Sequence, residues 1–200
     1  MPEELAERGV PERYRHCSFA NFDAYSKKLV SKLDALKALA TGKMGRGVFL
    51  FGPAGVGKSH LAVAVMGELV VRGWQGQFIR AIEFAARCQQ AFQREETVQG
   101  IVGELLDGRF LVLDDVGSER ATDFVVRSLF FLVDDAYCRQ KVLILTSNLS
   151  LEQLHELEPR IASRLVEACE LFGFEGIEDY RLRKVTGRKT TGKETILTVQ

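Results

Sequence analysis

The stretch GVFLFGPAGVGKSHLA, residues 47–62, constrains the fold more than any other part of the chain. Four apolar residues, Val48 to Phe51, run straight into a turn holding Gly52, Gly55 and Gly57. The turn ends in Lys58-Ser59, ahead of a second apolar run from Leu61 to Val71. A buried strand, a glycine loop and a helix N-terminus therefore follow one another without a break, and Gly52, Gly57, Lys58 and Ser59 satisfy the pattern G-x-x-x-x-G-K-[ST] in full. Glycines let backbone N–H groups converge on an anion without side-chain obstruction, and the helix dipole favours negative charge at the same point. The expected ligand is a nucleoside triphosphate, ATP or GTP. It is cradled by the loop from Gly52 through Pro53, Ala54, Gly55, Val56 and Gly57 to Lys58, Ser59 and His60. Lys58 reaches the β- and γ-phosphates, and the Ser59 hydroxyl binds a magnesium ion that bridges them. A plain surface turn uses the same residue types, but not this spacing between a strand and a helix.

Two further apolar runs, Phe110 to Leu113 and Val142 to Leu145, are continuous rather than alternating, as expected of strands covered on both faces. Helical spacing predicts helices over residues 26–40, 61–71, 83–94, 98–106 and 123–137, with other strands at 77–81 and 169–174. The alternation of strand and helix implies a three-layer α/β/α domain with a mostly parallel central sheet. In such sheets ligands sit beyond the carboxyl ends of the strands. At that end, "FLVLDDV" places Asp114 and Asp115, and "VLILTSN" places Thr146, Ser147 and Asn148. Asp114 is expected to hold the metal, Asp115 to orient or deprotonate the attacking water, and Asn148 to sense the γ-phosphate and position that water. Acids at a strand end and an asparagine after one also form turns, so these assignments lean on the glycine loop.

With 46% hydrophobic residues, 200 residues can bury one sizeable core. Lys plus Arg (27) and Asp plus Glu (27) cancel, so a nucleic acid or membrane must be met by a local patch or not at all. The opening MPEELAERG has no apolar core of the kind a secretion signal needs, and no stretch approaches the roughly 18 apolar residues that suggest a membrane span, so a cytoplasmic chain with no membrane partner is expected. Cys17, Cys88, Cys138 and Cys169, with His16, His60 and His155, are too dispersed for a disulfide framework or a zinc site. Residues 1–25 read as an N-terminal arm whose Phe19, Phe22 and Tyr25 cover an edge of the core. Residues 26–184 read as the nucleotide-binding domain and 185–200 as a basic tail.

"EPRIASRLVEAC" sets Arg160 and Arg164 four residues apart on one helical face, where either serves as a finger on a phosphate or as a surface ion pair with Glu156 or Glu167. Arg87 and Arg94 lie among Glu95, Glu96, Glu104 and Asp107, which oppose a basic patch. Arg181, Arg183, Lys184, Arg188, Lys189 and Lys193 form the stronger electrostatic candidate for DNA, with a solvated chain end as the alternative.

Over residues 10–184, "VPERYRHCSFANFD", "GPAGVGKSHLA", "FLVLDDVG", "LTSNL", "RIASRL" and "EDYR" occur in an order that closely resembles the AAA+ ATPase domains of the DnaC-type helicase loaders and their IstB relatives, the ATP-binding helpers of transposition. The resemblance implies magnesium-dependent ATP hydrolysis by a homo-oligomeric ring or spiral, with Lys58, Ser59, Asp114, Asp115 and Asn148 in the roles above. It implies an arginine finger for a neighbouring subunit's ATP at Arg164, with Arg160 second, and admits a phosphate-sensing role for Arg181. The implied partners are a replicative helicase or a transposase, and DNA, single-stranded for a loader. In the initiator and loader clade, residues 82–107 correspond to a helical insertion that narrows the ring and contacts single-stranded DNA.

Two departures stand out. Most AAA+ enzymes place Glu where this chain has Asp115, one methylene shorter, which points to slow hydrolysis and a switching role. Loaders also carry a separate N-terminal module that grips the helicase, for which 200 residues leave no room, so the chain is a fragment or binds its partner through the short arm or another protein. Helicase loading in DNA replication is the leading expectation and transposition help the alternative. A small P-loop metabolite kinase, which needs an acceptor pocket and an arginine-rich lid, and a nucleotide-gated binding module that hardly hydrolyses are the other two.

Overall fold

The computed structural model describes residues 1–94, 97–118 and 122–187. In chain order its elements are α1 (Pro2–Glu7), α2 (Lys27–Thr41), β1 (Gly47–Phe51), α3 (Lys58–Val71), β2 (Gly76–Arg80), α4 (Ala81–Gln93), α5 (Val98–Leu105), β3 (Phe110–Val116), α6 (Asp123–Cys138), β4 (Val142–Ser147), α7 (Leu151–Leu157), α8 (Pro159–Ala168), β5 (Cys169–Gly173) and α9 (Tyr180–Gly187). The strands form one sheet in the order β2-β3-β4-β1-β5, and every pairing is parallel. All five carboxyl ends therefore open on one edge, which brings the end of β1 beside the end of β4 and the end of β4 beside that of β3.

Side-chain alternation along each strand divides the core in two. Val48, Leu50, Phe110, Val112, Val142 and Ile144 face the layer that contains α2 and α3. Phe49, Leu111, Leu113, Leu143 and Leu145 face the layer built by α4, α5, α6 and α8. Both faces of β1, β3 and β4 are thus covered, which is why their sequences are apolar without interruption. α3 is buried nearly all round, from Leu61 to Val70, because it crosses the centre of the sheet. Local signals start the flanking helices: the Ser26 hydroxyl accepts from the Leu29 N–H at 3.2 Å, and the Thr122 hydroxyl from the Val125 N–H at 3.3 Å.

The leading segment packs against the α3 side of the sheet. Leu5, Val10 and Phe19 are buried there, and the Phe78 N–H of edge strand β2 donates to the Arg8 carbonyl at 2.8 Å. A hydrogen-bonding group of the open edge at β2 is thereby satisfied. No described helix is long and apolar enough to cross a membrane. Of the expected basic tail, residues 188–200 lie outside the described residues.

Candidate nucleotide site

Between β1 and α3 the backbone takes φ values of +76° at Gly55 and +98° at Gly57, a region that L side chains rarely adopt. Space excludes a side chain as well. A Cβ at Gly55 would lie 2.0 Å from the Asp179 carboxyl group, and one at Gly57 would lie 2.6 Å from the Phe22 ring. The loop is therefore clasped by the chain on both sides of the nucleotide-binding motif. The Tyr180 N–H also donates to the Gly55 carbonyl at 3.1 Å, and His60 Nε2 lies 2.9 Å from the Ser18 carbonyl, its ring edge-on to Phe22.

Lys58 is only 7% exposed. Its Nζ donates to the carbonyls of Gly52 and Pro53, each at 2.7 Å, and to Asn148 Oδ1 at 2.8 Å. Burial pushes the ammonium down from 10.5 to about 8, against the opposing pull of Asp115 and Asp114. A buried cation whose direct partners are neutral oxygens, at the mouth of a glycine loop, fits a polyphosphate.

At the end of β3 the pairing with β4 slips between Leu113 and Val116, and Asp115 adopts φ +62°. This left-handed conformation costs a non-glycine residue roughly 1–2 kcal/mol. Partners in and just after β4 compensate: the Asp115 N–H donates to Thr146 Oγ1 at 2.8 Å, and Asn148 Nδ2 donates to Asp115 Oδ1 at 2.8 Å. Thr146 Oγ1 in turn donates to Asp114 Oδ1 at 2.7 Å. Asp114 is 3% exposed, and its carboxyl is raised by burial while hydrogen bonds from Thr146 and Ser59 oppose the shift. A carboxylate and a hydroxyl side by side at the foot of a phosphate loop form an oxygen donor pair suited to magnesium.

These residues share a cleft of about 860 Å³. Lys58, Ser59, His60, Asp114, Asp115, Asn148 and Arg181 all line it. Arg160 and Arg164 do not. Arg160 pairs with Glu158 at 2.8 Å and lies over the Phe130 ring, and Arg164 pairs with Asp134 at 2.8 Å and lies over Tyr137. Glu167 is 3.9 Å from Arg164, and neither arginine pairs with Glu156: the carboxylate that caps α8 and an acid of α6 take that place. Arg87 is engaged by Glu104 at 2.7 Å. Sequence spacing did not reveal Thr146 as the bridge between the two aspartates, Asp179 as a wall of the loop, or Arg13, Tyr14, Cys17 and Arg80 as lining of the cleft. For Asp179 the short motif "EDYR" was the available signal.

The family model for IstB-like ATP-binding proteins matches residues 12–187. An insertion-sequence ATP-binding protein of Sinorhizobium fredii is 32% identical over 94% of this chain, which spans 64% of that relative's length. The replicative helicase loader DnaC of Escherichia coli is 23% identical over 94% of this chain and 78% of its own. A crystal structure of the DnaC helicase loader superposes with a TM-score of 0.71 at 24% identity, covering 82% of this chain and 99% of that one. With a complete phosphate loop on a parallel α/β/α sheet and a family match over nearly its whole length, the chain belongs to the IstB-like ATP-binding proteins.

Proposed function

We propose that the chain is an ATP-hydrolysing AAA+ switch of the insertion-sequence kind, which assists a transposase on DNA in the cytoplasm. The observation that carries this reading is the unbroken hydrogen-bond path Lys58–Asn148–Asp115–Thr146–Asp114 across the cleft. Lys58 meets the β- and γ-phosphate oxygens while the loop amides from Gly52 to His60 hold the rest of the triphosphate. Ser59 and Asp114 would hold magnesium, which supplies positive charge to the phosphate oxygens. Asp115, fixed through its backbone by Thr146 and through its carboxylate by Asn148, orients the attacking water and takes its proton. Its short side chain suits slow turnover and long-lived ATP states.

Arg164, and after it Arg160, stands outside its own cleft, so a role on phosphate requires a neighbouring copy in a ring or spiral. The similarity to an insertion-sequence protein at 32%, against 23% for DnaC, supports transposition help over helicase loading. Loading of a replicative helicase is the second reading, favoured by the shared fold with DnaC.

Phosphate release from ATP alone tests the proposal. Wild type should release phosphate without any acceptor, Lys58→Ala should lose ATP binding, and Asp115→Asn should bind ATP and release far less phosphate. Transfer only to a metabolite would favour a kinase. Tight binding with no release in wild type would leave a nucleotide-gated module. Co-purification with a transposase or with a replicative helicase separates the two DNA roles.

A further inference from the structure

The sheet edge opposite the cleft carries a second constellation. Trp74 precedes β2, Arg109 precedes β3 and Lys141 precedes β4. Because these three strands are parallel neighbours, the residues that lead into them stand in a row, one strand spacing apart, roughly 4.8 Å. The row is pinned by backbone. The Arg109 N–H donates to the Gln75 carbonyl at 2.6 Å, and Gly108 has no room for a side chain because a Cβ would meet that same carbonyl at 2.6 Å. Lys141 Nζ donates to the Gly108 carbonyl at 2.9 Å, and Arg8 donates to Gln75 Oε1 at 3.0 Å.

Two guanidinium groups converge on one indole. The carbon of the Arg109 guanidinium lies 3.5 Å from the centroid of the Trp74 ring, and that of Arg72 lies 5.5 Å from it. Each is attracted by the negative face of the ring quadrupole. The two positive charges nevertheless repel each other. Arg72 donates to the Ala40 carbonyl at 2.7 Å, whereas the Arg109 guanidinium has no hydrogen-bond or ion-pair partner among the described residues. Asp107, in the same loop, offsets one charge, and Glu4 is engaged by Arg8 at 3.4 Å. An excess of cations with unfilled donors, arranged in a row around an aromatic face, matches a chain of phosphates with bases between them better than a single anion.

We infer that Trp74, Arg72, Arg109 and Lys141 form a contact site for the sugar–phosphate backbone of DNA on the edge of the sheet remote from the nucleotide. The inference rests on the reading above in taking DNA as the polyanion, and it adds where the strand lies. The stacked Arg109 is pre-oriented to donate to phosphate oxygens, Arg72 and Lys141 extend the contact along the strand, and Trp74 offers its remaining surface to a base.

Trp74 is the one tryptophan of the chain, so its fluorescence reports on this site alone. Single-stranded and duplex oligonucleotides are titrated into the full chain at low and moderate salt with a fixed ATP analogue, and gel shift is measured in parallel. The expected result is saturable quenching. Arg72→Ala and Arg109→Ala should each weaken binding roughly tenfold and lower the slope of log affinity against log salt by about one. Lys27→Ala, at the end of α2 opposite Ala40, should change neither. Gel shift by wild type with Trp74 fluorescence unmoved, or with both arginine variants at wild-type affinity, would overturn the inference and leave the proposed function standing. Wild type that binds no DNA would overturn the DNA part of the proposed function itself. Equal or tighter quenching by polyglutamate would assign the site to an acidic protein instead.

Discussion

Asn148 and Asp115, 33 residues apart in sequence, are joined by a hydrogen bond of 2.8 Å from the asparagine amide to a carboxylate oxygen. The other end of the same amide accepts from Lys58, so one planar group orients both the Lys58 ammonium and the Asp115 carboxylate. Asparagine alone among small side chains offers a donor and an acceptor at that spacing.

Asn148→Asp keeps the acceptor toward Lys58 and replaces the donor by a second carboxylate facing Asp115. Phosphate release should fall roughly 100-fold, the range seen when a proton-transfer group loses its orientation. ATP affinity should stay within about threefold of wild type. Single-turnover hydrolysis beside equilibrium nucleotide binding measures the split; equal loss in both would remove Asn148 from the water-positioning role.

The pH dependence of ATP binding follows from Lys58. In the free protein its ammonium gives up its proton as pH rises through about 8. A triphosphate favours the charged form, so affinity should fall above pH 8, by up to about tenfold per pH unit. Binding at pH 8.5 should also take up a proton, which calorimetry in buffers of different ionisation enthalpy detects. A flat profile between pH 7 and 9 contradicts the buried, lowered ammonium.

Gly55→Ala meets two obstacles at once, the positive φ and the Asp179 carboxyl. Nucleotide affinity should drop sharply. Adding Asp179→Ala should recover only part of it, because the second change clears the space while about 1–2 kcal/mol of backbone strain remains. Full recovery in the double variant would mean that the steric contact alone requires glycine.

Glu158 caps α8, accepting from the Arg160 N–H at 3.2 Å, and the Arg160 guanidinium holds its carboxyl well below the ordinary 4.5, at about 2. Its pKa is lower in the folded chain, so its stabilisation is complete above pH 4.5 and disappears as pH falls through about 2. Glu158→Ala should cost about 1 kcal/mol at pH 7, a typical cap loss. The gap between variant and wild type in urea unfolding should close on acidification.

The strand–loop–helix unit at residues 47–62, the apolar runs of β3 and β4, and the acids near the end of β3 were legible in the amino-acid sequence because each is encoded within a few consecutive residues. Spacing specifies a local backbone shape, and burial on both faces writes itself as an uninterrupted apolar strand. The other relationships depend on strand order, which no local pattern encodes. The order β2-β3-β4-β1-β5 brings Asn148 between Lys58 and Asp115, sets Thr146 across the two aspartates and lines up the residues that lead into β2, β3 and β4, so that Arg109 lies over Trp74. The i, i+4 spacing of Arg160 and Arg164 assigned them a common helical face, yet only the packing of α8 on α6 determined that Asp134 would hold one of them outside the cleft. Contacts between distant segments are chosen by whichever packing buries both layers of the sheet, and that choice is a property of the whole chain.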